Sequence, residues 1–345
     1  MTSKRCTRRS IALAVAMGVF AFSESAAAGV QTMIVTSDPQ YPWTERTDSR
    51  IPEDDEERDR RSEALITQQY NSIAAYRAAR PGEDIPVFVN GDITAYGHGA
   101  EIKVMERLLP LLGDNVHLGL GNHDYENNIR QDNGSGCFAN WCARESITRL
   151  AKHVNRKPGK VSFDFSTTPG AFKTVYAGSL AYAVDAPGLD RLLSIQLNNY
   201  PDYRVTFEAT EGLGVGHYEI GSSLPWLSNL LETKLEKPRF GDWKDRAYDL
   251  AIVHMHNPDR YDGDFARLVT NTDVAAIFAG HLHTRLGYYR NIGSVPVFLS
   301  GSASQRTYLI VEHDTDAGVL RVYGVRNNEP EQKELLDTVP VHRDH

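Results

Sequence analysis

The sequence of 345 residues contains only three cysteines, and beyond residue 28 it has no apolar run long enough to cross a membrane. It lacks the G-x-S-x-G elbow, the G-x-x-x-x-G-K-S/T loop, the H-E-x-x-H motif and a G-x-G-x-x-G turn that opens a helix. It has no excess of basic residues either, since the net charge is −8. Such a chain repels polyanions on average, so we expect no nucleic-acid partner and no membrane span.

Residues 1–28 have the features of an export signal. A basic start precedes the apolar stretch 11–22, and the small residues of "SAAAG" follow, with cleavage expected after Ala28. We therefore predict an exported protein, periplasmic or secreted. The general route and the twin-arginine route both remain open, because "TRRSIAL" matches a twin-arginine signal loosely. An N-terminal membrane anchor is the alternative, although the apolar stretch is short for a span.

The use of cysteine agrees with export. Cys6 belongs to the signal, which leaves Cys137 and Cys142 in "GCFANWC". In an exported chain such a close pair favours a small disulfide, with two free or buried thiols as the alternative. The pair alone does not make a zinc site, because a closed site needs about four ligands.

Predicted strands and helices alternate in the first half of the mature chain. Short apolar runs typical of buried strands lie at 30–37, 85–90 and 115–121. Stretches with helical spacing of apolar residues lie between them, at 53–79 and 101–113. We expect Pro110 to bend the second helix. The resulting βαβαβ order predicts a sheet that is parallel in part.

The second half predicts further strands, at 191–197, 249–255 and 274–280, and a hairpin around 315–318. The stretches 125–160 and 200–222 are predicted as surface loops. Because no repeat or linker interrupts the sequence, we predict a single α/β domain. The predicted division of the chain is a signal at 1–28, a domain at 29–330 and a C-terminal tail at 331–345.

Five predicted strands end in residue types that bind metals. These strand-end groups are Asp38-Pro39-Gln40, Gly91-Asp92, Gly121-Asn122-His123-Asp124, His254-Met255-His256 and Gly280-His281-Leu282-His283. Ligands of open α/β sheets collect outside the carboxyl ends of strands, so we expect these side chains to converge. Carboxylate, amide and imidazole form a typical ligand set for divalent first-row metals. A turn or a helix cap explains each group alone, but the five together favour a metal site.

The strand-end groups resemble the signature of the calcineurin-like metallophosphoesterases over roughly residues 30–325. The G-N-H-D and G-H-x-H blocks are the specific parts, whereas G-D alone is weak. The resemblance implies a sandwich of two mixed β-sheets flanked by helices. It also implies two divalent metal ions, such as Mn, Fe, Zn or Mg, and hydrolysis of a phosphate mono- or diester. The substrate would be a small molecule or a protein that carries a phosphoester.

The resemblance also implies roles for single residues. Asp92 would bridge the two ions, and Asp38 and His283 would bind the first ion. The ligands of the second ion would be Asn122, His256 and His281. His123 would lie beside the leaving group, and Asp124 would orient its ring.

Two positions leave alternatives open. His254 and His256 face the same side of one strand, and the strand-end argument favours His256 as the ligand, with His254 buried or behind it. Gln40 stands where the family usually has His. Its amide oxygen is a weaker ligand, which predicts a weaker first site or a harder ion such as Mn²⁺, Mg²⁺ or Ca²⁺. The alternative is that Gln40 contacts no metal.

Two classes of function follow from these residues. The first is an exported hydrolase that cleaves a phosphate mono- or diester through a metal-activated water. The second, suggested by Gln40, is a non-catalytic protein that binds a metal or a phosphorylated ligand on the same fold. Tyr41 and Trp43, next to the first group, either stack on a substrate ring or fill the core.

Overall fold

The structure is a computed structural model that describes residues 29–129, 137–212, 214–235 and 247–341. The predicted export signal at 1–28 lies outside the described residues, as does the end of the predicted tail, 342–345. None of the helices in the described ranges is both long and apolar enough to cross a membrane.

The described ranges contain six α-helices and seventeen strands. The helices are α1 Glu45–Asp48, α2 Asp55–Ala78, α3 Gly99–Leu108, α4 Trp141–Arg156, α5 Leu224–Leu235 and α6 Gly263–Thr270. The first eight strands are β1 Val30–Thr36, β2 Val87–Val89, β3 Val116–Leu118, β4 Lys160–Phe163, β5 Ser166–Thr168, β6 Lys173–Gly178, β7 Tyr182–Asp185 and β8 Leu192–Gln196. The later strands are β9 Val205–Glu211, β10 Gly214–Ile220, β11 Leu250–Met255, β12 Val274–Ala279, β13 Leu286–Ile292, β14 Val295–Ser300, β15 Tyr308–Asp314, β16 Val319–Val325 and β17 Glu334–Pro340.

Two mixed sheets form a sandwich. One sheet has six strands in the order β17-β16-β15-β1-β2-β3, and the other has seven in the order β13-β14-β12-β11-β8-β7-β4. Strands β1, β2 and β3 run parallel, as do β8, β11, β12 and β14. The sheets face each other, since Phe88 of β2 stacks on His254 of β11 with ring centroids 4.2 Å apart. The predicted sandwich is confirmed, and a separate sheet, β5-β6-β10-β9, adds to it.

The helices of the first half form where the sequence predicts them. Asp54 caps α2 by accepting a hydrogen bond of 3.0 Å from the backbone N–H of Glu57, and acidic residues fill the first turn, where the helix dipole favours them. Ile66 and Ile73 of α2 are buried in the core beside the six-stranded sheet. α3 ends at Leu108, and a 3₁₀ turn that contains Pro110 continues from it.

Two stretches predicted as loops are regular structure. Within 125–160 the chain forms α4, whose buried residues Ile147, Leu150 and Val154 follow the 3- and 4-residue spacing of an amphipathic helix. Within 200–222 it forms the β9–β10 hairpin, in which residues alternate between buried and exposed. The loop prediction was wrong in both places because the polar residues of the solvent-facing side masked the period of the buried side.

The six-stranded sheet extends into the segment predicted as a tail. β17 pairs antiparallel with β16 over several residues, from Val319 opposite Pro340 to Gly324 opposite Glu334. Residues up to 340 therefore belong to the edge of the sandwich.

Backbone hydrogen bonds join the loops that follow the parallel strands. The N–H of Asp38 donates to the carbonyl of Gly91 over 3.1 Å, and the N–H of Gln40 donates to the carbonyl of Asp92 over 2.9 Å. In the seven-stranded sheet, the N–H of Gly280 donates to the carbonyl of His256 over 3.1 Å. The strand ends that carry the metal-binding residue types are thus held to one another by their own backbone.

The strand-end loops pack tightly against each other at Gly91. Its φ is +89°, and a Cβ there would lie 2.6 Å from the backbone nitrogen of Gly121. Gly82 has a similar φ of +95° with no atom within 4 Å of an added Cβ. We expect Gly82→Ala to lower the free energy of unfolding by about 1–2 kcal/mol, the left-handed backbone cost alone. Gly91→Ala should lower it by about 1–3 kcal/mol more, because the loops must separate.

Urea denaturation of the two variants and the parent measures this difference. Equal losses for Gly82→Ala and Gly91→Ala would contradict the close packing of the strand-end loops.

Candidate metal centre

The predicted ligands lie together at one edge of the sandwich. The residues that follow β1, β2, β3, β11 and β12 supply them, because the carboxyl ends of parallel strands meet at the same edge. Two groups of three residues place ligand atoms within 4.8 Å of one another. We call the set Asp38, Asp92 and His283 the first group. We call the set Asp92, His256 and His281 the second group. Asp92 belongs to both.

The backbone is strained where the ligands lie. Asp38, Gln40, Asp92 and His281 have φ values of 52°, 40°, 50° and 70°, in the left-handed region that residues other than glycine rarely adopt. Such conformations cost about 1–3 kcal/mol each and cluster at functional sites, because the surrounding fold has to enforce them.

His256 is anchored through one ring nitrogen and presents the other. Nδ1 donates a hydrogen bond of 2.8 Å to the carbonyl of Asn90, so Nδ1 is protonated and Nε2 is the atom that faces the centre. Nε2 lies 3.1 Å from the Oδ2 atom of Asp92 and 3.1 Å from the Oδ1 atom of Asn122. The second group therefore gathers imidazole, carboxylate and amide atoms around a common centre, and Asn122 joins it as the sequence predicts.

His254 does not reach this centre. It is buried, and its ring lies 4.2 Å from that of Phe88 and 5.8 Å from that of Phe278. Burial lowers the pKa of His254 to about 3, so the ring is neutral. Of the two histidines on β11, the structure therefore brings His256 to the ligand groups and leaves His254 between the sheets.

His283 is anchored in the same way. Nδ1 donates to the Oδ1 atom of Asp48 over 2.6 Å, and Nε2 lies 3.2 Å from the Oδ1 atom of Asp38. His281 lies beside it, and its backbone N–H donates to the Oδ2 atom of Asp38 over 3.0 Å. The ring of His281 crosses that of His256 edge-on at 5.2 Å. Both members of the G-H-x-H block thus reach the centre, one toward each group.

Gln40 is buried beside the first group. Its side-chain oxygen and nitrogen have no hydrogen-bond partner among the described residues, although the side chain is fully shielded from solvent. Buried amides are nearly always satisfied, because an unpaired one costs about 1–3 kcal/mol. An unpaired buried amide oxygen two residues from Asp38 is chemically suited to the role of a cation ligand that the sequence predicts for Gln40.

The electrostatics of both groups favour positive charge. Burial lowers the pKa of His256, but the carboxylates of Asp92 and Asp38 outweigh it and raise that pKa to about 9. Burial also lowers the pKa of His283, but Asp38 and Asp48 outweigh this effect and raise that pKa to about 10. These shifts report a strongly negative potential at the centre. The oxygen and nitrogen atoms present, and their potential, fit divalent cations.

His123 and Asp124 do not form the predicted pair. The Nδ1 atom of His123 donates to the carbonyl of Ala95 over 2.7 Å, and no hydrogen bond joins the ring to Asp124 in the described part of the chain. Asp124 instead accepts from the backbone N–H groups of Ile93, Thr94 and Gly121 at 2.9 to 3.1 Å. The prediction that Asp124 orients the His123 ring is wrong, because this carboxylate satisfies the loop donors behind the turn.

Asp48 and Trp43 are the contacts that the strand-end argument missed. Asp48 is the last residue of α1, which is not next to a strand end, and no motif in the surrounding sequence indicates a role for it. Trp43 packs edge-on against His123 and His283, with ring centroids 5.5 and 5.7 Å away, and donates its indole N–H to Asp48 over 2.7 Å. Tyr41 is buried in the core beside the six-stranded sheet. Of the two aromatic residues, only Trp43 therefore belongs to the centre.

Cys137 and Cys142 form the expected disulfide, with their Cα atoms 5.7 Å apart. His98 lies close to both sulfur atoms. Since the thiols are joined, this set offers no thiolate ligand and does not add a metal centre.

The chain matches the model of the calcineurin-like phosphoesterase family over residues 32–285. Among solved structures it is similar to a purple acid phosphatase from yellow lupin (Lupinus luteus) seeds, with a TM-score of 0.51 and 11% identity over 90% of this chain and 53% of that chain. It is also similar to a calcineurin-like phosphoesterase from Bacillus subtilis, with a TM-score of 0.41 and 10% identity over 90% of this chain and 89% of that chain. No curated protein matches the sequence.

The matched segment holds every member of both ligand groups as well as Asn122 and His123. The chain spans about half the length of the lupin phosphatase, and that likeness at low identity concerns the fold. The family match covers most of the chain. The chain therefore belongs to the calcineurin-like phosphoesterase family and is a metallophosphoesterase.

Proposed function

We propose that this protein is exported and hydrolyses a phosphate mono- or diester at a pair of divalent cations. The observation that carries the proposal is the membership of Asp92 in both ligand groups. Two cations close together repel each other, and a carboxylate shared between them offsets part of that repulsion. The basic start, the apolar stretch and the small residues before Gly29 support export.

Each cation would have its own set of ligands besides Asp92. The first would be held by Asp38, Gln40 and His283, and the second by Asn122, His256 and His281. When bound, such a pair polarises phosphoryl oxygens and lowers the pKa of water, so that hydroxide is available near neutral pH. Gln40 in place of imidazole favours a harder ion in the first set, such as Mn²⁺ or Mg²⁺.

The side chains of the protein hold the cation ligands in place and supply a proton to the leaving group. The hydrogen bond to Ala95 places a proton on Nδ1 of His123, so Nε2 is the atom left to face a substrate. When Nε2 is also protonated, it donates that proton to the leaving oxygen as the phosphorus–oxygen bond breaks. Trp43 packs against the ring and restricts its orientation. Asp124 supports the turn that carries His123 without touching the ring.

Metal dependence and the Asp92→Asn variant test the proposed function. Dialysis of the mature chain against a chelator should abolish turnover of chromogenic phosphomonoesters and phosphodiesters, and Mn²⁺, Fe²⁺ or Zn²⁺ should restore it for at least one of them. Asp92→Asn should lower kcat/KM by about 10³-fold, because cation stabilisation of the transition state contributes several kcal/mol.

A control for this variant is Asp262→Asn, which changes a carboxylate that caps α6 outside both ligand groups. Asn caps helices as well as Asp, so its activity should match the parent. The proposal fails if neither ester is turned over under any metal, or if Asp92→Asn behaves like Asp262→Asn. One bound ion per chain without hydrolysis would favour the non-catalytic alternative.

A leaving-group series tests the role of His123. In His123→Asn we expect kcat to fall by about 10²–10⁴-fold for alkyl phosphates, whose leaving oxygen needs a proton. For 4-nitrophenyl phosphate the loss should be much smaller, since nitrophenolate leaves unprotonated. Steady-state kinetics on both substrates measures the contrast. A uniform loss across the series would show that His123 does not act on the leaving group.

A further inference from the structure

Asp48 is held by four hydrogen bonds at the edge of the first group. Its Oδ1 atom accepts from Nδ1 of His283 over 2.6 Å and from the indole N–H of Trp43 over 2.7 Å. Its Oδ2 atom accepts from the hydroxyl of Ser304 over 2.5 Å and from the amide of Gln305 over 2.7 Å. A carboxylate has about four acceptor positions, so all of them are filled. The side chain is only 8% exposed, and its position is therefore fixed.

The two anchored histidines of the centre differ in what supports them. Nδ1 of His256 donates to a neutral backbone carbonyl, that of Asn90. Nδ1 of His283 donates to the charged carboxylate of Asp48. A carboxylate in this position fixes the tautomer of a ligating histidine and makes its other nitrogen a stronger donor than a carbonyl does. Gln40, the weak amide donor, follows Asp38 by two residues, and Asp38 belongs to the same group as His283.

We propose that Asp48 is a positioning residue that strengthens His283 as a ligand and so compensates for Gln40 in the first group. The inference rests on the proposed function, since it concerns the affinity of one of the two cations. Asp48 is also a largely buried carboxylate behind His283, and its negative charge would favour a cation held by Asp38 and His283. Ser304 and Gln305, which lie after β14, tie this carboxylate to the seven-stranded sheet.

Manganese binding to the full mature chain tests this role. After removal of metals by chelation, calorimetric titration with Mn²⁺ should give two binding events per chain in the parent. Asp48→Asn should weaken one of them by about 10–100-fold, the usual effect of losing a carboxylate behind a histidine ligand, and leave the other unchanged. At Mn²⁺ levels that fill only the tighter site, electron paramagnetic resonance should then show isolated ions instead of a magnetically interacting pair.

A double variant separates this role from a general structural one. In the same titration with Zn²⁺, Asp48→Asn should again weaken one event, and adding Gln40→His should recover most of the lost affinity, because imidazole is a better ligand than an amide for the later metals. Asp164→Asn is the matched control: Asp164 accepts from the N–H and the hydroxyl of Ser179 at 2.9 and 2.6 Å, away from both groups. It should bind Mn²⁺ like the parent.

The outcomes are distinct. Two parent-like affinities in Asp48→Asn would overturn the inference while leaving the proposed function intact. Equal weakening of both events, with no recovery in the double variant, would mean that Asp48 only supports the fold and would also overturn it. A parent chain that binds no Mn²⁺, Fe²⁺ or Zn²⁺ would overturn the proposed function and this inference with it.

Discussion

The carboxylate of Asp92 is the side chain on which the rest of the centre depends. Its Oδ1 atom accepts the backbone N–H of His123 over 2.9 Å, and its Oδ2 atom lies 3.1 Å from Nε2 of His256. One oxygen is thus oriented by the six-stranded sheet and the other meets a ligand from the seven-stranded sheet. A Cβ at Gly121 would lie 2.2 Å from Oδ1, which explains why the turn before His123 begins with glycine. Asp92 therefore links the ligand groups of the two sheets.

Gathering buried acids is costly unless positive charge or hydrogen bonds compensate them. Asp38 and Asp92 are nearly shielded from solvent, and the strand-end turns that present them sit in the left-handed region of φ. Burial alone would raise the pKa of Asp92. The neighbouring His256 lowers it more strongly, and the pKa falls to about 2. The stability of a sandwich with a large apolar core holds this strained and negative arrangement in place. Part of the folding free energy therefore maintains an arrangement whose negative charge favours cations.

The sequence predicted which side chains converge because one rule places them: residues that follow parallel strands share an edge. No comparable rule points to Asp48, whose partner His283 is 235 residues away in the chain. Adjacency also misled, since Asp124 follows His123 but turns its carboxylate to the backbone of another loop. The loop predictions at α4 and at the β9–β10 hairpin failed because polar residues on the solvent-facing side masked the period of the buried residues. Patterns along the sequence identified the strand ends. They did not reveal contacts between single side chains that lie far apart in the sequence.

The most direct test of the shared acid is the anomalous scattering of a crystal of the manganese-loaded protein. The account predicts two manganese peaks about 3.5–4 Å apart, with one carboxylate oxygen of Asp92 in contact with each or one oxygen between them. Asp38 and His283 should touch one peak, and His256 and His281 the other. A single peak, or two peaks of which one does not touch Asp92, would contradict it.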